Sequence, residues 1–256
     1  MNTLKLTYVV SAFFILSATS CQSGSEVKEP ENKDTTTVAA TTPAAPAPLV
    51  EKVLTREERD ALTPDMVIQM LKDGNQRFVS NDLTQRSHSS QVRAAAGGQF
   101  PKAVVISCLD SRVPVEDVFD RGIGDVFVGR VAGNFVNVDL LGSLEFGCKV
   151  AGAKLILVMG HEACGAVKAT IDNVKLGNIT EMLTKIRPAV VKSADFKGDK
   201  STGNEEYVDY VAKNNVLNTI ETIKQKSPIL KEMADKGEIK IVGAYYSLKT
   251  GQVTFL

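Results

Sequence analysis

Four short runs with almost no polar interruption govern what this chain can fold into. They are Ala103-Val104-Val105-Ile106, Asp125-Val126-Phe127-Val128, Lys154-Leu155-Ile156-Leu157-Val158-Met159 and Ile239-Lys240-Ile241-Val242-Gly243-Ala244-Tyr245. A strand with one wet face alternates apolar and polar residues. A strand that is apolar on both faces must be covered on both, which is the habit of parallel sheets sandwiched between helices. The stretches between the runs carry helical rather than two-residue spacing. The expectation is therefore an α/β fold with a mostly parallel central β-sheet flanked by helices. A short return strand is expected at 252–256, after the Thr250-Gly251 turn.

Thr63-Pro64-Asp65 reads as a helix start, an N-cap hydroxyl followed by proline in the first turn. Met66, Val67, Met70, Leu71 and Phe78 form its apolar stripe, which Gly74-Asn75 is expected to interrupt. Residues 80–100 read as loop with some helix. Further helices are expected at 137–151, where Val138, Leu141, Leu144 and Val150 recur near 3.6-residue spacing, and at 164–176, 179–193 and 204–226. No internal repeat is visible.

The first fifth of the chain is of another kind. Lys5 precedes an apolar run, Tyr8-Val9-Val10 and Ala12 to Leu16, and then Ala18-Thr19-Ser20-Cys21. A basic start, a short apolar core and small residues describe a secretory signal peptide, and the run is shorter than the roughly 20 residues of a membrane-spanning helix. A cysteine directly after the small residues resembles the lipidation site of bacterial lipoproteins, although Ala18 stands where leucine is usual. Residues 22–48 are rich in Ser, Thr, Ala and Pro and cannot build a core. As a flexible coil they span roughly 30 Å. The expected organisation is a signal peptide at 1–20, a lipidated Cys21 with its tether at 21–48, and a single domain at 49–256. The protein is expected to be exported and periplasmic, held to the membrane through the N-terminal lipid alone.

Lys+Arg and Asp+Glu both number 30, a neutral balance that argues against a nucleic-acid binder, which usually needs a basic face. Four Cys are too few for a disulfide framework in a chain of 256 residues. With two His and no Trp, any metal site must draw on a short list of ligands.

That list converges. Cys108 ends the first apolar run, in Ser107-Cys108-Leu109-Asp110-Ser111-Arg112, and His161 and Cys164 follow the third, in Gly160-His161-Glu162-Ala163-Cys164-Gly165. Both groups fall at carboxyl ends of strands, where open α/β sheets place their sites. Two thiolates and an imidazole suit Zn²⁺ with a fourth position open. A structural zinc or a Cys108–Cys164 disulfide would use the same residues. Asp110 is two residues from Cys108 in extended chain and so faces the same way, as does Arg112. The carboxylate can close the site as a fourth ligand or, held off by Arg112, leave room for water. Cys148, inside a helix, reads as core, and His88, flanked by Arg86-Ser87 and Ser89-Ser90, as a surface residue.

Cys108-x-Asp110-x-Arg112 followed by His161-x-x-Cys164-Gly165 resembles the β-class carbonic anhydrases. Arg130 and Asn134 within Gly129-Arg130-Val131-Ala132-Gly133-Asn134, and Ser143-Leu144-Glu145-Phe146, fit the same pattern, although Val131 replaces a common Asn. The resemblance implies the β-carbonic anhydrase fold and one Zn²⁺ per chain on Cys108, His161 and Cys164. It implies a lyase that hydrates CO2 reversibly to bicarbonate and a proton, by attack of zinc-bound hydroxide. Asp110 and Arg112 would be the gating pair. Gln99, Phe127, Phe146 and Gly165 would contact substrate, Phe146 from a partner subunit, in a homodimer or homotetramer. Gln99 matches the plant-like branch, and Val105 stands where the allosteric branch carries Trp, which implies no regulation by bicarbonate. Hydrolysis of CS2 or COS on the same scaffold and a non-catalytic zinc module are the alternatives.

Overall fold

The computed structural model describes residues 52–256. The signal peptide, Cys21 and the tether lie outside the described residues. Among the described residues no helix is long and apolar enough to cross a membrane.

The apolar runs become strands β1 (Ala103–Ser107), β2 (Val126–Arg130), β3 (Leu155–His161) and β4 (Lys240–Tyr246), all parallel, in the order β2-β1-β3-β4. The return strand β5 (Val253–Phe255) pairs antiparallel with β4. Every residue of β1 and β3 is buried, as strands covered on both faces require.

Ten helices accompany the sheet among the described residues: α1 (Arg56–Asp60), α2 (Pro64–Val79), α3 (His88–Ala95), α4 (Val115–Val118), α5 (Val138–Glu145), α6 (Gly165–Ile171), α7 (Gly177–Thr184), α8 (Arg187–Lys192), α9 (Glu205–Lys226) and α10 (Pro228–Asp235). On one face of the sheet, Val105, Leu157 and Met159 pack with Val67 and Leu71 of α2 and with Val115 and Phe119. On the other, Val104, Ile106, Ile156 and Val158 pack with Leu144, Val216 and Ile223. Each such side chain, fully buried, contributes about 1.5–3 kcal/mol.

Several boundaries differ from the sequence reading, each for a local reason. α2 runs on through Gly74-Asn75, which break its apolar stripe but are buried, because the pair serves a contact. A Cβ on Gly74 would lie 1.9 Å from the Phe119 carbonyl oxygen. The Asn75 amide donates to the Val118 and Gly251 carbonyls and accepts from Val253 N–H. The helix expected at 164–176 stops at Ile171, where Asn173 turns left-handed (φ 54°) and the Asn173 and Val174 N–H groups cap the Thr170 and Ala169 carbonyls. The helix expected at 179–193 is two, α7 and α8, since Pro188 has no N–H to continue the first. The helix expected at 137–151 ends as one wide π-helical turn, Phe146–Val150. There Gly147 lets the chain press on Val104, 2.5 Å from where a Cβ would stand. Cys148 in that turn is buried, and burial pushes its thiol up to about 12.

Candidate metal centre

β1 and β3 are neighbours, so the residues at their carboxyl ends meet. Cys108 directly follows β1, His161 is the last residue of β3, and Cys164 is the N-cap of α6. Ala163, at φ 53°, makes the tight turn between the last two. Their ligand atoms all lie within 4.8 Å of one another, and all three residues are buried. The two sulfurs are 3.9 Å apart, far beyond the roughly 2.05 Å of a disulfide bond, and both cysteines are free.

The donors fit a thiophilic metal. His161 Nδ1 lies 2.9 Å from the Glu162 carbonyl, which accepts a hydrogen bond from Nδ1–H. Nε2 is then left buried without a hydrogen-bond partner, a cost unless something accepts its lone pair. The Cys108 thiol is pulled down to about 4 by the adjoining Cys164 thiol, against burial, with His161 and the Gly133 N–H adding to the pull. Cys164 is pushed up by the Cys108 thiolate and by burial. His161 is raised despite burial, chiefly by the Cys108 thiolate.

Around this centre the 108–112 loop is tied down. Arg130 Nε donates to the Cys108 carbonyl at 3.0 Å and Nη2 to the Asp110 carbonyl at 2.5 Å. Arg112 pairs with Asp110 and holds its carboxyl far below the usual carboxylate range. Asp110 Oδ2 stands 3.9 Å from His161 Nε2. Gly133 N–H points at Cys108 Sγ, 3.3 Å away. That donor carried no signal in the sequence beyond a glycine in a loop.

Gly165 adjoins Cys164 as the first residue of α6, and a Cβ there would meet nothing within 4 Å. The structure does not bring the other expected substrate contacts to the same chain's centre. Phe127 pairs with Val104, four residues short of Cys108, which is about 13 Å of strand. It stacks obliquely on Phe146, ring centroids 6.5 Å apart, in a groove of about 480 Å³ shared with Leu140 and Ile106. Phe146 is half exposed. Gln99 is exposed, between α3 and β1. His88 opens α3 and is exposed.

Fold and site together define an α/β protein with a buried Cys2His centre at the carboxyl edge of a parallel sheet. A family model described as carbonic anhydrase matches residues 103–253. Carbonic anhydrase 2 of Mycobacterium tuberculosis is 35% identical over 188 residues, covering 71% of this chain and 87% of that protein. The solved Coccomyxa β-carbonic anhydrase, in complex with acetazolamide, is 27% identical with a TM-score of 0.59, covering 74% of this chain and 84% of that one. A tetrameric β-carbonic anhydrase of Sordaria macrospora shares the fold at 22% identity and a TM-score of 0.59, covering 74% and 96%. The chain belongs to the β-carbonic anhydrase family.

Proposed function

We propose that this carbonic anhydrase is a zinc enzyme that hydrates CO2 reversibly to bicarbonate and a proton, with one zinc per chain on Cys108, His161 and Cys164. The observation that carries the reading is the buried, unpartnered His161 Nε2 beside two thiols. Zinc bound there supplies a Lewis acid that acidifies water for attack on CO2. Two thiolates cancel the charge of the ion, so the surrounding residues must assist. Asp110, held as a carboxylate by Arg112, would accept a hydrogen bond from that water at a carboxylate oxygen. Arg112 keeps the carboxylate from swinging in as a fourth ligand. Gly165 leaves room for substrate beside Cys164.

Phe127, Phe146 and Gln99 are substrate contacts in this reading only if a second copy carries them to the centre. The tetrameric Sordaria relative supports such an assembly, as does the half-exposed Phe146. Placement in the plant-like branch without bicarbonate regulation is supported by Gln99 and by Val105, which is buried in β1. Export and anchoring through Cys21 are supported by the signal and tether pattern of 1–48.

Stopped-flow CO2 hydration beside a zinc count on the purified protein tests the reading, with CS2 as the control substrate. One zinc per chain with turnover of CO2 is expected. Zinc without turnover at any pH from about 7 to about 9, the range in which zinc-bound water ionises, would favour a non-catalytic zinc module. Turnover of CS2 alone would favour the hydrolase alternative.

A further inference from the structure

Asn215 is fully buried in the middle of α9. Its Nδ2 donates to the Gly133 carbonyl at 2.7 Å, 82 residues away in sequence. Its Oδ1 has no partner. A buried, unsatisfied amide oxygen costs about 1–3 kcal/mol, and an apolar side chain of the same shape would avoid it. What Asn215 contributes is therefore the single bond to Gly133.

Gly133 is the residue whose N–H meets Cys108 Sγ. The N–H that faces sulfur and the C=O that faces Asn215 flank one Cα, at φ 86°. A Cβ there would stand 2.3 Å from Ile186 Cδ1, so any other residue would strain the backbone and push Ile186 aside. α9 is brought to this loop by its packing on β3. Gly160, next to His161, lets Val216 approach, 2.8 Å from where a Cβ would stand. The path from Asn215 through Gly133 to Cys108 thus runs between elements that the sheet holds in register.

We infer that Asn215 is a positioning residue for the Cys108 thiolate, keeping the Gly133 N–H aimed at the sulfur. This rests on Cys108 being a metal ligand, as proposed above. An N–H donated to a ligating thiolate draws charge away from the sulfur. The sulfur then neutralises the ion less, and the metal stays a stronger Lewis acid. With two thiolates on the ion, this matters more than at an all-imidazole site.

The test uses the full chain loaded with Co²⁺, whose thiolate charge-transfer band reports sulfur basicity directly. In Asn215→Leu the band is expected at longer wavelength than in the wild type. The pH profile of CO2 hydration should move to higher pH and turnover fall by about tenfold. In Asn215→Gln, which retains an amide donor, the band should return toward the wild-type position. A lowered melting temperature in Asn215→Leu with band and pH profile unmoved would overturn the inference and leave Asn215 a structural residue. If neither variant folds, the wild-type protein loaded with NMR-active cadmium decides. Scalar coupling between the metal and the Gly133 amide proton is expected, and its absence overturns the inference. A wild-type protein that takes up neither Co²⁺ nor cadmium would sink the metal reading itself, a distinguishable failure.

Discussion

Arg112 holds Asp110 at three points: Nε reaches Oδ1 at 2.9 Å, Nη2 reaches Oδ2 at 2.7 Å, and the Arg112 backbone N–H donates to Oδ1 at 2.9 Å. A planar fork gripping a carboxylate fixes orientation as well as charge. The same carboxylate keeps one oxygen 3.9 Å from His161 Nε2. The pair thus sets how Asp110 faces the metal centre.

Arg112→Ala removes two of the three bonds and leaves the carboxylate free to rotate toward the metal. Zinc content should stay at one per chain while CO2 hydration falls by about ten- to a hundredfold. Arg112→Lys should restore little, because a point charge cannot make the paired contact. Normal turnover in Arg112→Ala would remove the gating role.

Cys164→Ser takes a soft donor from a three-ligand set and leaves the His161 lone pair in poorer company. The variant should purify with much less than one zinc per chain and with activity lost in proportion. A zinc count beside the hydration assay checks this. Full zinc occupancy in the variant would show that Cys164 is not a ligand.

Asp120 has a solvent-free side chain and links Arg77, Arg86 and Thr84. Burial would raise its pKa, but the Thr84 hydroxyl and the two guanidinium groups outweigh it, and the net direction is down. A carboxyl with a folded pKa below its unfolded value of about 3.9 stabilises fully above that value. The contribution is lost as pH falls through the folded pKa. Asp120→Asn should therefore be less stable than wild type near neutrality, and the gap should close as the pH drops below about 4. Denaturant melts across that range would show it, and a gap independent of pH would contradict the assignment.

Gly74→Ala drives a methyl group into the Phe119 carbonyl, which is backbone and cannot swing aside. The expected cost is about 3 kcal/mol, or roughly 6–12 °C in melting temperature for a domain of this size. A thermal melt within a degree or two of wild type would mean that α2 is free to shift.

How far the sequence could be read followed the range of the interaction. The four strands were legible because continuous apolar runs encode burial on both faces, and α9 because its caps and length are local. α10 was missed altogether: Ser227 serves both as the end of α9 and as the N-cap of α10, so the two read as one segment and an unassigned tail. Gly74-Asn75 read only as a gap in the apolar stripe of α2, since nothing local says that Phe119 and Gly251 lie against it.

Residue types and spacing singled out Cys108, His161 and Cys164 as the candidate donor set, because two thiols and an imidazole fall at the ends of two apolar runs. They also determined the Asp110–Arg112 pair, which is two residues apart and needs no tertiary contact to form. Only the tertiary structure decided that the ends of β1 and β3 are adjacent and that the two sulfurs stand 3.9 Å apart unbonded. It also decided that Phe127 and Phe146 face a groove away from their own centre, and that a buried asparagine on α9 reaches a loop 82 residues distant. The reason is physical: periodicity and backbone preference act over a few residues, whereas strand order and helix docking are set by the packing of the whole core.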